Sequence, residues 1–402
     1  MSYGANCSPC SNRQSDYTRP GLIFAVYYLL LSFEFVAITS GVSVGRIAAI
    51  AIVLFSFTWI SRWRFRLDPT GFALSAFVYT CLLSLFFLPD AIKQYGSYFT
   101  VLLNVILVFA SNSIEFDVSD IDLWKRSLIF AAIFLGLAAI VSPGQVGTEW
   151  VSGRIVPNIA GSQQDPNEFC GYYLLPISFF VYQMVSCNRI AYSIPLSFLI
   201  YTVLMTGSRG GLIAVVVSIL VAIICGIKVR KRKALVCVLA LIVVLLLAFN
   251  ADTIIRLLPD SISSRFLFKG GRIETASSRV VVWKQILDSF FASDLLQQLF
   301  GHGFGSTTLA NMGGIVAHNV YIELLYDVGL LGLASFLALF FVSIYKAAIR
   351  RDFVVLSALI GESVLIMSLS SFWSKTLWGL IILGSVSLRK VESGKDESQL
   401  NA

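Results

Sequence analysis

The chain has 402 residues, of which 57% are hydrophobic and only 13% are charged. Soluble domains carry about 25% charged residues, so this composition excludes a soluble enzyme and a disordered chain. The mean hydropathy is +0.80, and apolar runs near the length of a membrane-spanning helix recur along the sequence. These runs do not alternate apolar and polar residues as barrel strands would. The composition therefore predicts an all-α polytopic integral membrane protein.

Twelve apolar segments are candidates for transmembrane helices. In chain order they lie near 21–38, 46–61, 71–88, 98–112, 127–142, 170–186, 190–206, 211–227, 234–250, 328–345, 353–370 and 373–388. We therefore expect a single transmembrane domain over 21–390, preceded by a short segment at 1–20 and followed by a polar tail at 391–402. An even number of spans places both termini on one side of the membrane.

The formal net charge of +7 bears on topology. Basic residues collect on cytoplasmic loops, and the short segments on the side of the two termini hold most of the Lys and Arg residues. This bias predicts that both termini are cytoplasmic and that two large loops, 143–169 and 251–318, lie on the outer face. With the charge explained in this way, we expect no nucleic-acid partner.

Metal-ligating residues are sparse and scattered. Cys7 and Cys10 form one CxxC pair without a second pair, and the chain has only two histidines, so a zinc site is not expected. Asp117, Asp120 and Asp122 lie on the predicted cytoplasmic side, where we expect water to solvate them. The sequence predicts no metal site.

Arg209 lies within Thr206-Gly-Ser-Arg-Gly-Gly211, between two spans joined by almost no loop. An arginine near membrane depth is costly and is usually paired or functional. The neighbouring glycines would let a ligand approach the backbone, and the following helix would add free N–H groups and a positive dipole end. The pattern is typical of a phosphate site, but an arginine whose long side chain reaches the interface explains it equally well.

His318 lies where the second large loop re-enters the membrane. Histidine titrates near neutrality and can act as a general base, but a lone histidine is more often structural, so the residues alone leave its role open. His302 lies between glycines in Gly301-His-Gly-Phe-Gly305, which indicates a turn. The sequence contains no nucleophile elbow, Walker loop or dinucleotide fingerprint.

Several short motifs follow one another along the chain. They are Asp165-Pro-Asn-Glu-Phe169, Ser208-Arg-Gly-Gly211, Ser278-Arg279-x3-Trp283, Gly301-x-Gly-x-Gly305 and His318-Asn-x-Tyr321, with Gly329 and Gly332 beyond. In their order and spacing they resemble the superfamily of O-antigen ligases and Wzy-type polysaccharide polymerases. The resemblance covers about 150–350, and the first 150 residues match only as a run of spans.

The resemblance implies a GT-C-like membrane glycosyltransferase in the bacterial inner membrane, with its active site facing the periplasm. Such an enzyme moves a glycan from undecaprenyl diphosphate to an acceptor hydroxyl with inversion, and uses no metal and no cofactor. The implied partners are the lipid-linked donor, a lipid-linked repeat unit or the lipid A-core as acceptor, the bilayer and a chain-length regulator.

The resemblance also assigns roles to individual residues. Arg209 and Arg279 would hold the diphosphate, which becomes the leaving group in the transition state. His318 would be the base that takes the proton of the acceptor. The residues expected to shape the site or to contact the glycan are Arg154, Asp165, Asn319 and Tyr321.

The motifs do not identify the acceptor. A polymerase extends the glycan by transfer to a lipid-linked repeat unit in surface polysaccharide biosynthesis, whereas a ligase transfers the finished O-antigen to the lipid A-core in lipopolysaccharide biosynthesis. The basic loop 251–284 suits either acceptor, and the Asp165-Pro-Asn loop favours the polymerase by a small margin. A lipid-linked glycan transporter would need charges inside the spans, and these are nearly charge-free apart from Glu34, Glu362 and Lys375.

Overall fold

The structure is a computed structural model that describes residues 18–39, 42–58, 68–88, 95–146, 154–229, 273–310, 314–370 and 372–389. Several predictions fall outside these residues. They are the CxxC pair of Cys7 and Cys10, most of the segment 1–20, the span at 234–250, most of the basic loop 251–284 and the tail 391–402.

Within the described ranges the chain is mostly helical, with thirteen α-helices. They are α1 (Arg19–Leu31), α2 (Val44–Phe57), α3 (Pro69–Ser84), α4 (Tyr95–Ser113), α5 (Val118–Val141), α6 (Pro166–Cys187), α7 (Ser193–Met205), α8 (Arg209–Val229), α9 (Ile273–Ala292), α10 (Leu295–Phe300), α11 (Val320–Ile349), α12 (Phe353–Leu365) and α13 (Lys375–Ser385). Short 3₁₀ turns lie at Leu85–Phe87, Ile190–Tyr192, Ser306–Thr308 and Ile366–Ser368.

The strands are short, and all except the last one lie between helices. They are β1 (Ala37–Thr39), β2 (Val42–Ser43), β3 (Glu115–Phe116), β4 (Pro143–Val146), β5 (Arg154–Ile159), β6 (Ser162–Gln163) and β7 (Ser387–Leu388). β1 pairs with β2 antiparallel, β3 with β7 parallel, and β4, β5 and β6 form an antiparallel sheet in that order. This three-stranded sheet occupies the predicted outer loop 143–169, and β5 begins at Arg154.

Among the residues that the structure describes, five stretches of helix are long and apolar enough to cross a membrane. They are Pro69–Phe87, Val118–Val141, Pro166–Cys187, Arg209–Ile227 and Val320–Ile349, and six further apolar helices are shorter. Each predicted span except 234–250 overlaps one of these helices. The architecture agrees with the expected all-α membrane protein, while the number of twelve spans and the side on which the termini lie stay predictions.

The helices that lead to the candidate site are joined by small residues. The Ser178 hydroxyl of α6 lies 2.8 Å from the Ser218 hydroxyl of α8, which donates to the carbonyl oxygen of Ser357 in α12 at 2.9 Å. A Cβ on Gly361 of α12 would lie 2.9 Å from the Ser218 Oγ atom. Small side chains let membrane helices approach closely and exchange hydrogen bonds, so α6, α8 and α12 form one closely packed unit.

Ion pairs lie at the end of the bundle where the structure places the start of α5 and the end of α11. Lys125 pairs with Asp352 at 3.2 Å, Arg389 pairs with Asp117 at 3.4 Å, and Lys346 pairs with Asp68. Lys125, Lys346 and Arg389 are among the residues that the charge bias assigns to one face. The structure brings them to one end of the helices.

Asp120 at the same end is buried, so the expectation that water solvates it is wrong. Its carboxylate accepts hydrogen bonds from the backbone N–H of Thr18 at 3.0 Å, the Thr18 hydroxyl at 2.9 Å and the backbone N–H of Asp117 at 3.1 Å. A Cβ on Gly21 would lie 2.0 Å from the Asp120 carboxylate. Asp120 therefore caps its own helix and fastens the start of α1 to it, because three donors compensate for its lost hydration.

α11 begins before the predicted span 328–345 and is broken at Gly329. Gly329 has φ 74° and ψ −177°, a conformation that is essentially restricted to glycine. A Cβ at this position would lie 2.4 Å from the Leu299 carbonyl oxygen and 2.5 Å from the Gly301 nitrogen. The break therefore lets the loop that follows α10 pack directly against the backbone of α11.

The glycine-rich loop 301–305 is held by the segment of α11 before the break. The buried Asp327 carboxylate accepts hydrogen bonds from the backbone N–H groups of Gly305 at 2.8 Å and Thr307 at 3.1 Å. The Asp327 carbonyl oxygen accepts one from Gly303 at 2.8 Å. The Gly-x-Gly-x-Gly motif is thus a docking element for α11.

His302 belongs to this loop. Its ring stacks on the ring of Tyr326 with centroids 4.1 Å apart, and its Nε2 atom lies 2.8 Å from the Ser293 hydroxyl. Its Nδ1 atom lies 3.1 Å from the Tyr326 carbonyl oxygen. These contacts agree with the prediction of a turn and give His302 a structural place between α9 and α11.

Gly329→Ala is expected to destabilise the protein strongly. The strained backbone alone costs about 1–3 kcal/mol, and the methyl group would overlap two backbone atoms. Gly161→Ala is the matched control, because Gly161 also has a positive φ of 78° but a Cβ there would meet no atom within 4 Å. Thermal unfolding of both variants in detergent measures the difference, and an equal loss of stability would contradict the role of Gly329 as a packing contact.

Candidate active site

The predicted site residues lie at the end of the bundle opposite to the ion pairs. This end is formed by the starts of α6, α8 and α11 and by the end of α7, together with β5 and α9. The residues found here are Arg154, Asp165, Arg209, Arg279, His318, Asn319 and Tyr321. Four of them, Arg154, Asp165, Arg279 and His318, are close enough to interact electrostatically.

The Asp165-Pro-Asn segment starts α6. The Asp165 carboxylate accepts hydrogen bonds from the backbone N–H groups of Asn167 at 2.8 Å and Glu168 at 3.3 Å, and Pro166 occupies the first helical position. Asp at the N-cap followed by Pro is a strong local signal for a helix start. The exposed Asp165 side chain thereby stays at the rim of the site, where its charge acts on the neighbouring cations.

Asn167 joins the elements that carry the motifs. Its buried side-chain oxygen accepts hydrogen bonds from the Ser208 hydroxyl at 2.6 Å and from the Arg154 guanidinium at 3.4 Å. Arg154 also donates from Nε to the Thr206 carbonyl oxygen at 3.0 Å. Sequence reasoning gave Asn167 no individual role, although its place in the Asp165-Pro-Asn motif was a signal that could have found it.

Arg209 is positioned by the residue before it. The Ser208 hydroxyl accepts a hydrogen bond from the backbone N–H of Gly211 at 3.0 Å and so caps α8. Arg209 is the first residue of this 21-residue helix and its side chain is half-buried. The guanidinium and the positive end of the helix dipole therefore lie at the same end of α8.

The two glycines after Arg209 have a packing role. A Cβ on Gly210 would lie 2.1 Å from the Ser368 hydroxyl, and one on Gly211 would lie 2.3 Å from the Cys170 sulfur. The expectation was that these glycines let a ligand approach the backbone. The structure instead accounts for both by the close packing of α8 against α6 and the end of α12.

The Arg279-x3-Trp283 motif lies on α9, a helix inside the predicted outer loop 251–318. Residues four apart share one face of a helix. The Trp283 indole N–H donates to the Ala317 carbonyl oxygen at 2.7 Å, and the half-buried Arg279 lies one turn earlier. The motif thus fastens α9 to the residue immediately before His318.

His318 has a backbone conformation that is rare for its residue type. Its φ is 50°, and non-glycine residues at positive φ are uncommon. Its backbone N–H donates to the Ser370 hydroxyl at 2.7 Å. The Asn319 side chain then caps α11 by accepting from the N–H groups of Tyr321 at 3.0 Å and Ile322 at 3.3 Å, so the turn at His318 leads directly into the helix.

Two further side chains support this turn. The Tyr321 hydroxyl donates to the Ser363 carbonyl oxygen at 2.8 Å and joins α11 to α12. The buried Glu323 carboxylate interacts with the Ser370 hydroxyl and with the backbone of Ala317 and His318. Sequence reasoning missed Glu323 because it started the span at 328 and so left this residue in a loop.

The electrostatics keep His318 unprotonated at neutral pH. Partial burial lowers the pKa of His318 below its usual 6.5, and the positive charges of Arg279 and Arg154 lower it further, while Asp165 opposes them. Burial also lowers the pKa of Arg154 and Arg279, but guanidinium groups stay charged in proteins. The site therefore combines a neutral imidazole with positive charge, which suits an anionic ligand beside a proton acceptor.

Residues 194–337 match the family model Wzy_C, which describes O-antigen ligases. The matched residues make up about a third of the chain and lie within the range of the resemblance. This confirms the resemblance that the motifs indicated. The matched region runs from α7 into α11 and contains Arg209, Arg279 and His318, whereas Arg154 and Asp165 precede it. No curated protein matches the chain significantly. The match to this family indicates glycan transfer at a membrane in O-antigen or polysaccharide assembly.

Trp283→Phe is expected to lower glycan transfer about fivefold, because the carbonyl next to His318 loses the indole N–H that holds it. Loss of one such hydrogen bond costs about 1 kcal/mol. We expect this loss to raise the activation free energy of transfer by about the same amount, and each 1.4 kcal/mol of activation free energy lowers the rate tenfold. Transfer is measured with the purified protein in lipid nanodiscs, together with thermal unfolding.

The matched control is Trp124→Phe. The Trp124 indole also donates to a backbone carbonyl oxygen at 2.7 Å, that of Gly21, but at the other end of the bundle. Its loss is expected to lower stability and to leave the rate of transfer per folded molecule unchanged. Equal rates for the two variants would contradict a positioning role for Trp283.

Proposed function

We propose that the protein is a membrane glycosyltransferase that transfers a glycan from undecaprenyl diphosphate to an acceptor hydroxyl at the periplasmic face of the inner membrane, with inversion at the anomeric carbon. The observation that carries this proposal is the convergence of Arg154, Arg279 and the neutral His318 at one end of the bundle, beside the α8 start that bears Arg209. The residues that match the O-antigen ligase family model include three of these four.

The proposed chemistry needs two kinds of group. Guanidinium groups bind phosphate oxygens through paired hydrogen bonds, so Arg209 and Arg279 hold the diphosphate. As its bond to the anomeric carbon breaks, the diphosphate leaves with the electron pair, and the arginines stabilise the negative charge that develops. The acceptor oxygen forms the new bond to that carbon from the opposite face, and its proton passes to an unprotonated ring nitrogen of His318.

Within this reaction class we propose a Wzy-type polymerase, whose acceptor is a lipid-linked repeat unit and which works with a chain-length regulator. The second candidate is an O-antigen ligase, whose acceptor is the lipid A-core. The description of the matching family favours this second activity. Both activities use the same donor, and in both Arg209 and Arg279 hold its diphosphate.

Deletion of the gene from its Gram-negative host distinguishes the two activities on a lipopolysaccharide gel. A polymerase deletion leaves the core with a single repeat unit, whereas a ligase deletion leaves bare core while polymer accumulates on the carrier lipid. In complementation, we expect Arg209→Ala, Arg279→Ala and His318→Ala to lose activity by 100-fold or more, about the loss that follows removal of one transition-state contact.

Arg126→Ala is the control for this complementation, because Arg126 is an exposed arginine of α5 near the opposite end of the bundle. It is expected to restore the wild-type ladder. If the three site variants also restore the wild-type ladder at equal protein levels, diphosphate binding and proton acceptance are assigned to the wrong residues.

The rate of transfer is expected to fall on the acidic side of neutrality as His318 becomes protonated, with a midpoint below pH 6.5. Because the charge of Asp165 raises the pKa of His318, Asp165→Asn is expected to move the midpoint to lower pH. Asn remains a good helix cap, so α6 keeps its start. Because Arg279 lowers the same pKa, Arg279→Gln is expected to move the midpoint to higher pH in its residual activity. A midpoint that is identical in all three proteins would exclude His318 as the titrating base.

A further inference from the structure

A polar cavity of about 230 Å³ opens at the same end of the bundle as the candidate active site. It lies among the end of α1 and the starts of α2, α4, α6 and α13. The side chains that line it belong to Glu34, Phe35, Ser43, Arg46, Thr100, Gln164, Glu168, Trp373, Ser374 and Lys375. All five of these elements lie outside residues 194–337, which match the O-antigen ligase family model.

The cationic side of the cavity is built from distant parts of the chain. The Lys375 side chain is 1% exposed, and its Nζ atom lies 3.7 Å from the Glu34 carboxylate. The other Glu34 oxygen accepts a hydrogen bond from the Lys375 backbone N–H at 2.9 Å. Arg46 donates to the Thr100 hydroxyl at 3.1 Å. Buried charges require such partners, so the cavity wall is a fixed polar structure.

The cavity adjoins the candidate active site through the first turn of α6. Gln164 and Glu168, whose side chains are hydrogen-bonded to each other, line the cavity, and Asp165 between them belongs to the active site. Glu168 interacts electrostatically with both Glu34 and Asp165. A ligand in the cavity therefore lies beside the groups proposed to hold the diphosphate and the acceptor.

The lining indicates the chemical class of the ligand. Carboxyl groups and cationic side chains both line the cavity, so an anion would meet carboxyl oxygens and a lipid chain would meet buried polar groups. Donors and acceptors are both abundant, and Trp373 and Phe35 add aromatic surface. At about 30 Å³ per water, the cavity of about 230 Å³ holds about eight waters, which is enough space for one sugar ring with its hydroxyl groups.

We propose that this cavity binds one neutral monosaccharide residue of the glycan substrate. The carboxyl oxygens of Glu34 and Glu168 accept hydrogen bonds from sugar hydroxyls, Arg46 and Lys375 donate to those hydroxyls, and Trp373 covers the apolar face of the ring. The proposal rests on the proposed function, because it takes the glycan as substrate. It adds that a sugar without a carboxylate or phosphate group occupies the position next to the reaction centre.

The test measures binding without turnover. The probe is the repeat-unit oligosaccharide of the host polysaccharide, released from its carrier lipid and titrated into the full-length protein in nanodiscs. Glu168→Gln and Trp373→Leu are each expected to weaken binding by tenfold or more. Asp288→Asn is the matched control, since it removes one carboxylate from the exposed surface of α9, and it is expected to bind like the wild type.

Three results of this titration would overturn the proposal. They are no binding to the wild type, equal binding by the cavity variants and the control while all stay folded in thermal unfolding, and displacement of the oligosaccharide by inorganic pyrophosphate at the cavity. None of them depends on His318 or Arg279. Normal transfer by His318→Ala and Arg279→Ala would instead defeat the proposed function and leave the binding result standing.

Transfer kinetics identify the substrate that supplies the sugar. In Glu168→Gln, a rise in KM for the acceptor assigns the sugar to the acceptor, and a rise in KM for the lipid-linked donor assigns it to the donor. Either rise, at tenfold or more, supports the subsite. Unchanged KM values for both substrates would overturn it.

Discussion

The side-chain oxygen of Asn167 is the contact on which the geometry of the candidate site depends. It accepts hydrogen bonds from Ser208 at the start of α8 and from Arg154 at the start of β5. Arg154 also donates to the carbonyl oxygen of Thr206, the residue that follows α7. A single buried acceptor thus fixes four elements relative to one another. Because a buried donor left without its partner costs about 1–3 kcal/mol, these elements cannot move independently.

The two ends of the bundle differ in how fully their charged side chains are paired. At one end, carboxylates and cations pair with each other, as in Lys125 with Asp352, or with backbone donors, as Asp120 does. At the other end Lys375 also pairs with Glu34, but Arg154 and Arg279 lie near Asp165, an exposed carboxylate. Positive charge that is only partly compensated in a poorly hydrated site attracts an anion strongly. The fold therefore concentrates its capacity for anion binding at one end.

The helical, apolar character of the chain could be predicted from the sequence, because hydropathy is a local property, whereas the roles of the motif residues stay predictions. Hydropathy marked the helices, but it failed where polar residues enter them. Hydropathy places the start of one span at 328, too late, because Glu323 and Asp327 interrupt the apolar run in the first turns of α11. Hydropathy also does not mark α9 as a helix, because α9 is only partly apolar. Asp120 looked solvated because its partner Thr18 is far away in sequence.

The cavity beside the site could not be predicted from the sequence either, because the residues that line it are far apart along the chain. Glu34 and Lys375 are separated by most of the chain, and the sequence shows them as charges in or near apolar spans without showing that they are partners. What each one does depends on the other. Only the packing of α1 against α13 shows that they are partners and that they line one cavity.

The break at Gly329 also fixes the length of the helical segment before it. Residues 320–328 form a short length of helix between two fixed points, the His318 turn at one end and the contact of Gly329 with the glycine-rich loop at the other. Each residue of an α-helix advances the chain by about 100° of rotation and 1.5 Å of length. One residue more or fewer in this segment would therefore turn the imidazole of His318 away from Arg279 by more than a quarter of a circle. The distance along the chain between His318 and Gly329 is part of the site, although Gly329 itself touches no substrate in the proposed reaction.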